Sequence, residues 1–410
     1  MDRRVLFAGL ILFAGGAAGV GVAVFAFVGL DADTAGAEII WESDPAEGDD
    51  GTGAVVATVD GDPSVIQPAI DDDAAAIRAL DMAGEVAWTV SVPGDVEPDG
   101  TSDLVATEMN DEPVIAFTTE AGDLVVLDAA DGEARLTVSL GSGSTLAPVA
   151  TDLTDDGEPE FVVLRDDGTA LAIGGDGETF FETEIEGDAA LQPLAITGEE
   201  SAVDDSADAD SGTLVDDGIA LLTDGDGVQQ VTVLDAAGEV VWAEAPEGTT
   251  LSWNAADSRR GGIIALGSSD GMLETMEASD GSTRYDVGLQ DVPVDVGDAD
   301  SGRVHVGGVG DIWAVDLLDG EVVWKQQYGG ETRVNEPAVG DVTGDGSAEV
   351  VAVNRGGEVT AMNRNGEVVL RGDAGSVVVY AAPLFADVTG DGTDETLIVT
   401  EDGTVIALAA

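Results

Sequence analysis

Residues 232–242 read TVLDAAGEVVW: a β-prone run, an aspartate, a short turn holding a glycine, and a second β-prone run ending in tryptophan. Bulky apolar and β-branched residues on either side of an Asp-to-Gly turn predict a hairpin. The same stretch recurs as RALDMAGEVAW (78–88), VVLDAADGEARL (125–136), LAIGGDGETFF (171–181), ETMEASDGSTRY (274–285), WAVDLLDGEVVW (313–324) and TAMNRNGEVVL (360–370), and is cut short in IALAA (406–410). Aligned on the apolar residue before the turn, the copies give Leu80, Leu127, Ile173, Leu234, Met276, Val315, Met362 and Leu408, spaced by 47, 46, 61, 42, 39, 47 and 46 residues. A period of about 40 to 50 residues made of short strands and Gly/Asp turns predicts a β-propeller with one four-stranded blade per repeat. Eight anchors predict eight blades, with seven as the alternative, in an all-β fold. Beyond the N-terminal segment no apolar stretch has a 3.6-residue period, which excludes helical repeats.

The longest interval contains EESAVDDSADADSGTLVDD, residues 199–217, read as an acidic loop insertion. At the other extreme, the last repeat stops at Ala410 where its Gly-Glu-Val-x-Trp strand is due. That strand is found at the front of the chain, in AGAEIIWESD (35–44), where Trp41 takes the place of Trp88, Trp242 and Trp324. A strand over 37–43 is therefore predicted to complete the final blade and close the ring, so that the propeller spans 37–410.

The repeat resembles the pyrroloquinoline-quinone-like propeller repeats, whose blades carry an A-x-D-x-x-x-G-x-x-x-W core, over nearly the whole of this span. Tryptophan at that position is expected to fill the space between adjacent blades. Quinone dehydrogenases of this type hold the cofactor beneath a vicinal cysteine pair, and the chain has no cysteine. No quinone is therefore expected. The absence of cysteine also excludes disulfides and thiolate metal sites, and the one histidine, His305, is read as a strand residue.

The chain carries 83 acidic and 14 basic residues for a formal net charge of −69, with a hydrophobic fraction of 44% that is ample for a core. Lys325 is the one lysine among the basic residues. This composition resembles that of proteins from salt-loving archaea. Roughly molar salt shortens the screening length to about 3 Å and relieves the repulsion such a surface would feel in dilute buffer. Nucleic acid is excluded as a partner, because no Lys/Arg patch faces phosphate.

Arg3 and Arg4 precede an uncharged run from Val5 to Leu30, and Asp31 and Asp33 follow it. The run exceeds the ~20 residues needed to cross a bilayer, and the charge asymmetry places the N-terminus in the cytoplasm. Residues 1–30 are expected to form a transmembrane helix serving as a signal anchor, 31–36 a short linker, and the propeller to lie outside a single-pass cell membrane. A cleaved signal ending near Ala35–Ala37 is the alternative.

Four stretches share a further frame: DVEPDGTSD (95–103), DLTDDGEPE (152–160), DVTGDGSAE (341–349) and DVTGDGTDE (387–395). Oxygen-bearing residues stand at positions 1, 3, 5 and 9 with glycine at 6, the alternation by which a short loop collects hard oxygen ligands for calcium. The expected ligands are Asp95, Glu97, Asp99 and Asp103; Asp152, Thr154, Asp156 and Glu160; Asp341, Thr343, Asp345 and Glu349; and Asp387, Thr389, Asp391 and Glu395. Thr101, Glu158, Ser347 and Thr393 at position 7 would lend carbonyls. The frame resembles the DxDxDGxxD loops of FG-GAP blades in integrin-type propellers, with threonine replacing the second acid in three copies, which weakens the cage. All four are expected at one place in the blade, and DVGDADSGR (295–303) resembles a decayed copy closed by Arg303.

The reading these features favour is a membrane-anchored, calcium-stiffened propeller that binds or scaffolds a surface protein or glycan. A carbohydrate-active or quinone-dependent enzyme working in the channel is one alternative. A surface-protein assembly factor is another, since PQQ-like propellers also resemble the lipoprotein that assists outer-membrane assembly.

Overall fold

The computed structural model describes residues 35–46, 53–71, 74–93, 96–97, 100–197, 217–258, 261–328 and 332–410. The predicted transmembrane segment 1–30, residues 31–34 of the linker and residues 199–216 of the acidic insertion lie outside the described residues, as do Asp95 and Asp99. Among the described residues every regular element is a strand, and no helix is long and apolar enough to cross a membrane.

The strands form eight separate sheets. Blade 1 runs over residues 55–91, blade 2 over 105–139, blade 3 over 149–184, blade 4 over 188–244, blade 5 over 250–288, blade 6 over 295–327, blade 7 over 338–373, and blade 8 over 384–409 together with Glu38–Glu42. Within each blade consecutive strands pair antiparallel, and the first strands of neighbouring blades touch one another, including those of blades 8 and 1. The first strands thus line the axis and the fourth strands form the rim. Second and third strands are buried almost throughout, as in Glu160–Leu164 and Thr169–Ile173, whereas fourth strands such as Val322–Gln327 are largely exposed. All eight predicted anchors lie on third strands and are buried.

Antiparallel alternation sorts the connections. Loops between first and second strands and turns between third and fourth emerge on one face, called upper here. Inter-blade connections and the turns between second and third strands emerge on the lower face.

The recurrent Asp and Gly each have a defined task. The aspartate that ends a third strand turns the backbone by accepting an N–H two residues on: Ala83 donates to Asp81 (2.9 Å), Ala237 to Asp235 (3.0 Å) and Leu318 to Asp316 (2.8 Å). The glycine then lies flat under a large side chain of the preceding blade. The pairs are Gly84 with Trp41, Gly132 with Trp88, Gly177 with Leu136, Gly238 with Phe181, Gly281 with Trp242, Gly320 with Tyr285, and Gly366 with Trp324. At Gly281 the backbone is left-handed (φ 72°), and a Cβ would stand 2.6 Å from the Trp242 ring. Polar ends of these side chains reach the same turns: Trp88 Nε1 donates to the Ala129 carbonyl (3.1 Å), Trp242 Nε1 to Ala278 (2.7 Å) and Tyr285 Oη to Asp316 (3.0 Å). Tryptophan therefore fills the space between adjacent blades, as expected.

The apolar interior is accordingly divided by junction. One cluster joins Ile77 and Val90 to Phe117 and Leu127 across blades 1 and 2, another joins Leu222 and Trp242 to Ile264 and Met276 across blades 4 and 5, and a third joins Val65 and Leu80 to Leu397 and Val405 across blades 1 and 8.

Ring closure follows the prediction. Glu38–Glu42 pairs antiparallel with Val405–Ala409, with Ile39 opposite Leu408 and Trp41 opposite Ala407. One feature differs from the expected linker: Ala35–Gly36 forms a strand parallel to Val368–Asp373 at the rim of blade 7. The entering chain thus crosses from blade 7 to blade 8 before leaving by Ser43. There the buried Arg78 of blade 1 donates to the carbonyls of Asp44 (2.7 Å), Pro45 (2.9 Å) and Gly403 (3.1 Å), and Gln67 also donates to Gly403 (2.9 Å). These bonds tie blade 1 to blade 8. Asp217, assigned in the sequence to the acidic insertion, instead begins the second strand of blade 4.

His305 is a strand residue, as expected. It lies on Arg303–Gly307 of blade 6, is buried, stacks on Trp324 with ring centroids 6.0 Å apart, and places Nδ1 2.9 Å from the Asp298 carbonyl. Burial lowers its pKa to about 4, with the Asp298 carbonyl and the Asp300 charge opposing.

Two predictions follow from these contacts. Gly302 is also left-handed (φ 76°) but has open space where a Cβ would go. Gly302→Ala is expected to cost about 1–2 kcal/mol from the backbone alone, and Gly281→Ala a further ~1–3 kcal/mol from the displaced indole, read by denaturant unfolding. Equal losses would contradict the packing role. For His305, a lowered folded-state pKa means the unfolded chain binds the extra proton first, so the imidazole's contribution is intact above pH about 6.5 and lost as pH falls toward 4. The stability difference between the native protein and His305→Gln should shrink over that window, by up to about 3 kcal/mol; a flat difference would contradict a buried neutral ring.

Candidate functional site

Three of the four acidic frames occupy one structural place. Residues 152–160, 341–349 and 387–395 each join the first to the second strand of a blade on the upper face, in blades 3, 7 and 8. Their backbone is folded by two left-handed residues, Asp155, Gly344 and Gly390 at position 4 (φ 57°, 69° and 74°) and Gly157, Gly346 and Gly392 at position 6 (φ 88°, 81° and 87°). The first aspartate sits inside this fold and accepts backbone N–H groups. Asp341 receives those of Gly344 and Gly346 (both 2.9 Å), Asp387 those of Gly390 (2.6 Å) and Gly392 (2.8 Å), and Asp152 those of Asp156 (3.2 Å) and Gly157 (2.8 Å). Asp156, Asp345 and Asp391 accept the N–H of position 7, at Glu158 (2.9 Å), Ser347 (2.8 Å) and Thr393 (2.9 Å). The Asp387 carboxyl is held below its ordinary range by these bonds, that from Gly392 first.

The closing acids Glu160, Glu349 and Glu395 begin the second strands and are buried. In blade 3, Glu160 accepts the Leu153 N–H (2.7 Å) and the Thr154 hydroxyl (3.3 Å). In blade 8, Glu395 accepts the N–H groups of Val388 (2.9 Å) and Thr389 (3.2 Å) and the Thr389 hydroxyl (3.4 Å). Threonine at position 3 thus supports the closing acid there. Blade 7 follows the same pattern more loosely: the Thr343 hydroxyl and N–H support the buried Glu349 carboxylate, while Glu349 Oε2 and Thr343 Oγ1 make no hydrogen bond of ordinary length. Burial raises the Glu349 and Glu395 carboxyls, with the neighbouring loop aspartates adding to the effect. Among the described residues no three acidic or imidazole groups stand together as a ready-made metal cluster.

The fourth frame is elsewhere. Residues 95–103 connect blade 1 to blade 2 on the lower face, so the four do not share one place in the blade. The stretch follows the fourth strand of blade 1, Val86–Ser91, and precedes the first strand of blade 2, Val105–Met109, so it is an inter-blade connection and not a loop between first and second strands. Of the predicted ligands there, Glu97 is exposed with its N–H bonded to Glu120 (3.1 Å), Thr101 bridges to Thr119, and Asp103 is exposed, in contrast to the buried Glu160, Glu349 and Glu395. The decayed copy at 295–303 is also no loop. Asp295–Asp300 and Arg303–Gly307 are paired strands joined by a tight turn.

The loops of blades 7 and 8 pack on one another. Thr393 Oγ1 fills the space beside Gly344, the Asp394 N–H donates to the Asp341 carbonyl (3.2 Å), and the half-buried Asp394 carboxyl is raised by burial and by Asp341 and Asp387. Asp394 was not singled out by the sequence pattern, since it occupies position 8, outside the alternation.

A second acidic grouping lies around the axis on the lower face. Glu336 stands just before the first strand of blade 7, Asp295 begins that of blade 6 and Asp298 follows on the same strand. Arg333 pairs with Asp295 through Nε (2.7 Å) and Nη2, and Asp298 accepts the Val339 N–H (3.0 Å). Glu336 is raised to about 7 by desolvation and then by Asp295, Asp103 and Asp298, with Arg333 opposing. The Glu336 side chain is itself exposed to solvent, so the desolvation acting on it is only partial. Asp103 enters from blade 2, on the far side of the ring from blades 6 and 7. A carboxyl titrating near neutrality among other acids can exchange protons or receive a cationic group. In a chain with 83 acidic residues, no local signal in the sequence distinguishes Glu336.

The model of the family described as outer membrane protein assembly factor BamB, a PQQ-like repeat family, matches residues 73–208 and 197–410. Among solved structures, BamB from Moraxella catarrhalis is similar at 15% identity and a TM-score of 0.59, covering 91% of this chain and 100% of that one. The C-terminal WD40 domain of Sif2 superposes with a TM-score of 0.64 at 10% identity, over 92% and 99% of the two chains. Saccharomyces cerevisiae Sqt1 gives 0.61 at 12% identity, over 92% and 98%. At such identities the solved structures establish the propeller fold alone. No functionally curated protein matches the chain by sequence. The family match spans most of the propeller, and the chain belongs to the PQQ-like repeat family described as outer membrane protein assembly factor BamB.

Proposed function

We propose that the chain is a binding or scaffold propeller, held at the outer face of a cell membrane by its N-terminal segment and stiffened by calcium on its upper face. The observation that carries the reading is the membership of a family described as an assembly factor together with a complete, closed ring. A ring of rigid blades presenting variable loops on two faces suits recognition of another macromolecule. The partner class is a surface protein or glycan, and assembly of surface proteins is the finer form of the same reading. The uncharged run Val5–Leu30, flanked by Arg4 and Asp31, supports the membrane attachment.

The donor sets of 152–160, 341–349 and 387–395 suit calcium in kind, since each loop concentrates carboxylates and carbonyls within one tight turn. In blade 7 the loosely held Glu349 and Thr343 leave oxygen lone pairs that a cation could take up. The lower-face stretch 95–103 is the poorest fit, given Pro98 at position 4. A second reading, an enzyme acting on a substrate in the channel, has one observation in its favour. Glu336 has the near-neutral pKa of an acid–base group, with Arg333, Asp295, Asp298 and Asp103 around it.

Detergent, and neither salt nor chelator, is expected to release the full chain from a membrane fraction, and crosslinking there is expected to capture a reproducible protein or glycan partner. Recovery as a soluble, uncomplexed protein that turns over a saccharide or quinone substrate would overturn the binding reading. Chelation in roughly molar potassium chloride should lower the melting midpoint and calcium should restore it, by about 2.7 kcal/mol per site at a hundred times Kd. An unchanged midpoint through both steps would remove calcium from the account.

A further inference from the structure

Turns between second and third strands on the lower face follow one plan, in which the second turn residue donates its N–H to a carbonyl of the connection entering the same blade. The bonds run from Glu120 to Gly100 (2.8 Å), Asp166 to Gly143 (3.1 Å), Ser269 to Thr249 (2.9 Å), Arg355 to Arg333 (2.9 Å) and Glu401 to Val378 (2.8 Å). These equivalent positions hold acids in blades 2, 3 and 8 and a cation in blade 7. In a chain with 83 acidic residues, that is a local inversion of charge.

Arg355 is exposed and lies over the ring of Tyr380, with the guanidinium carbon 4.9 Å from its centroid. Among the described residues Arg355 makes no ion pair. The acid of its own turn, Glu358, is engaged elsewhere: its carboxylate accepts Asn354 Nδ2 (2.7 Å), while Asn354 Oδ1 accepts the N–H groups of Gly356 (2.9 Å) and Glu358 (3.1 Å). Stacking on Tyr380 therefore holds a guanidinium whose N–H edge has no carboxylate, and that planar fork is suited to taking one bidentately. Tyr380 belongs to the connection between blades 7 and 8. No acidic or basic residue occurs there from Ala374 to Ala386, and Val378 beside it is 38% exposed. The connection between blades 2 and 3 is also uncharged over residues 140–148, but it faces Asp166 where this one faces Arg355.

We infer that the lower face at blades 7 and 8 docks an extended acidic segment of a partner protein, with Arg355 receiving a carboxylate and Val378 meeting an apolar side chain next to it. Arginine and tyrosine together are the residues on which protein interfaces concentrate their binding energy. The inference rests on the binding reading of the chain and names the chemistry of the partner.

The test is calorimetric titration of the full chain, in roughly molar potassium chloride, with a capped peptide of alternating valine and glutamate and with its valine–glutamine counterpart. Salt at that level shortens screening to about 3 Å, so the general repulsion of the acidic coat is suppressed and a contact pair persists. The native chain should bind the glutamate peptide roughly tenfold more tightly than the glutamine peptide. Arg355→Gln should lose that preference, Arg355→Lys should recover only part of it, and Asp166→Asn should leave it unchanged. A preference that persists in Arg355→Gln, or a native chain that binds neither peptide, overturns the surface. The binding reading fails separately: a partner crosslinked equally by the native and Arg355→Gln chains keeps that reading while this surface falls, and no crosslinked partner at all removes both.

Discussion

The contact on which the rest of the molecule depends is a large side chain laid flat on a glycine of the next blade. A four-stranded sheet has two faces to cover, and a propeller covers each with the neighbouring sheet. The distance between sheets is therefore set at seven of the eight junctions by a large side chain on a glycine, as with Trp88 over Gly132, Trp242 over Gly281 and Tyr285 over Gly320. Any side chain at the glycine would lift the ring, and any smaller residue over it would leave a void. The indole N–H bonds from Trp88 to Ala129 and from Trp242 to Ala278 add direction to the packing. Because each apolar cluster bridges only two blades, stability is local to junctions, and the ring is as firm as its weakest seam.

The exception is blade 8, whose fourth strand comes from the N-terminal end of the chain and is joined to Val405–Ala409 by pairing alone. The glycine–aromatic pair is absent at its junction with blade 7; Ala37 and Leu370 share a buried cluster instead. Compensation comes from elsewhere. The parallel pairing of Ala35–Gly36 ties the rim of blade 7, and Arg78 with Gln67 gathers the carbonyls of residues 44, 45 and 403 in the wall of blade 1. The upper-face loops of the same two blades lean on each other through Asp394 and Asp341.

Much of this was legible in the sequence because a propeller repeats its constraints. The anchors from Leu80 to Leu408 marked every third strand, and the misplaced Trp41 marked the closure. The loop frame was legible in part. Positions 1, 5, 6 and 9 signalled a turn with inward carboxylates, but not which strands it joins, and the stretch at 95–103 connects two blades where its apparent siblings connect first and second strands. DVGDADSGR looked like a loop because aspartates and glycines also make the tight turn at Ser301–Gly302 between paired strands. Glu336 and Asp394 were not legible at all. Each gains its surroundings from a blade distant in sequence or from a neighbour's loop, and uniform acidity hides single acids whose importance is positional.

If closure by the N-terminal strand governs the seam, its removal should be felt locally. Backbone hydrogen exchange compared between chains beginning at Ala35 and at Asp44 tests this most directly. Faster exchange confined to Val405–Ala409 and Val368–Asp373, with the strands of blades 3 to 5 unchanged, is the predicted result. Unchanged protection in Val405–Ala409, or uniform loss around the ring, would contradict the account.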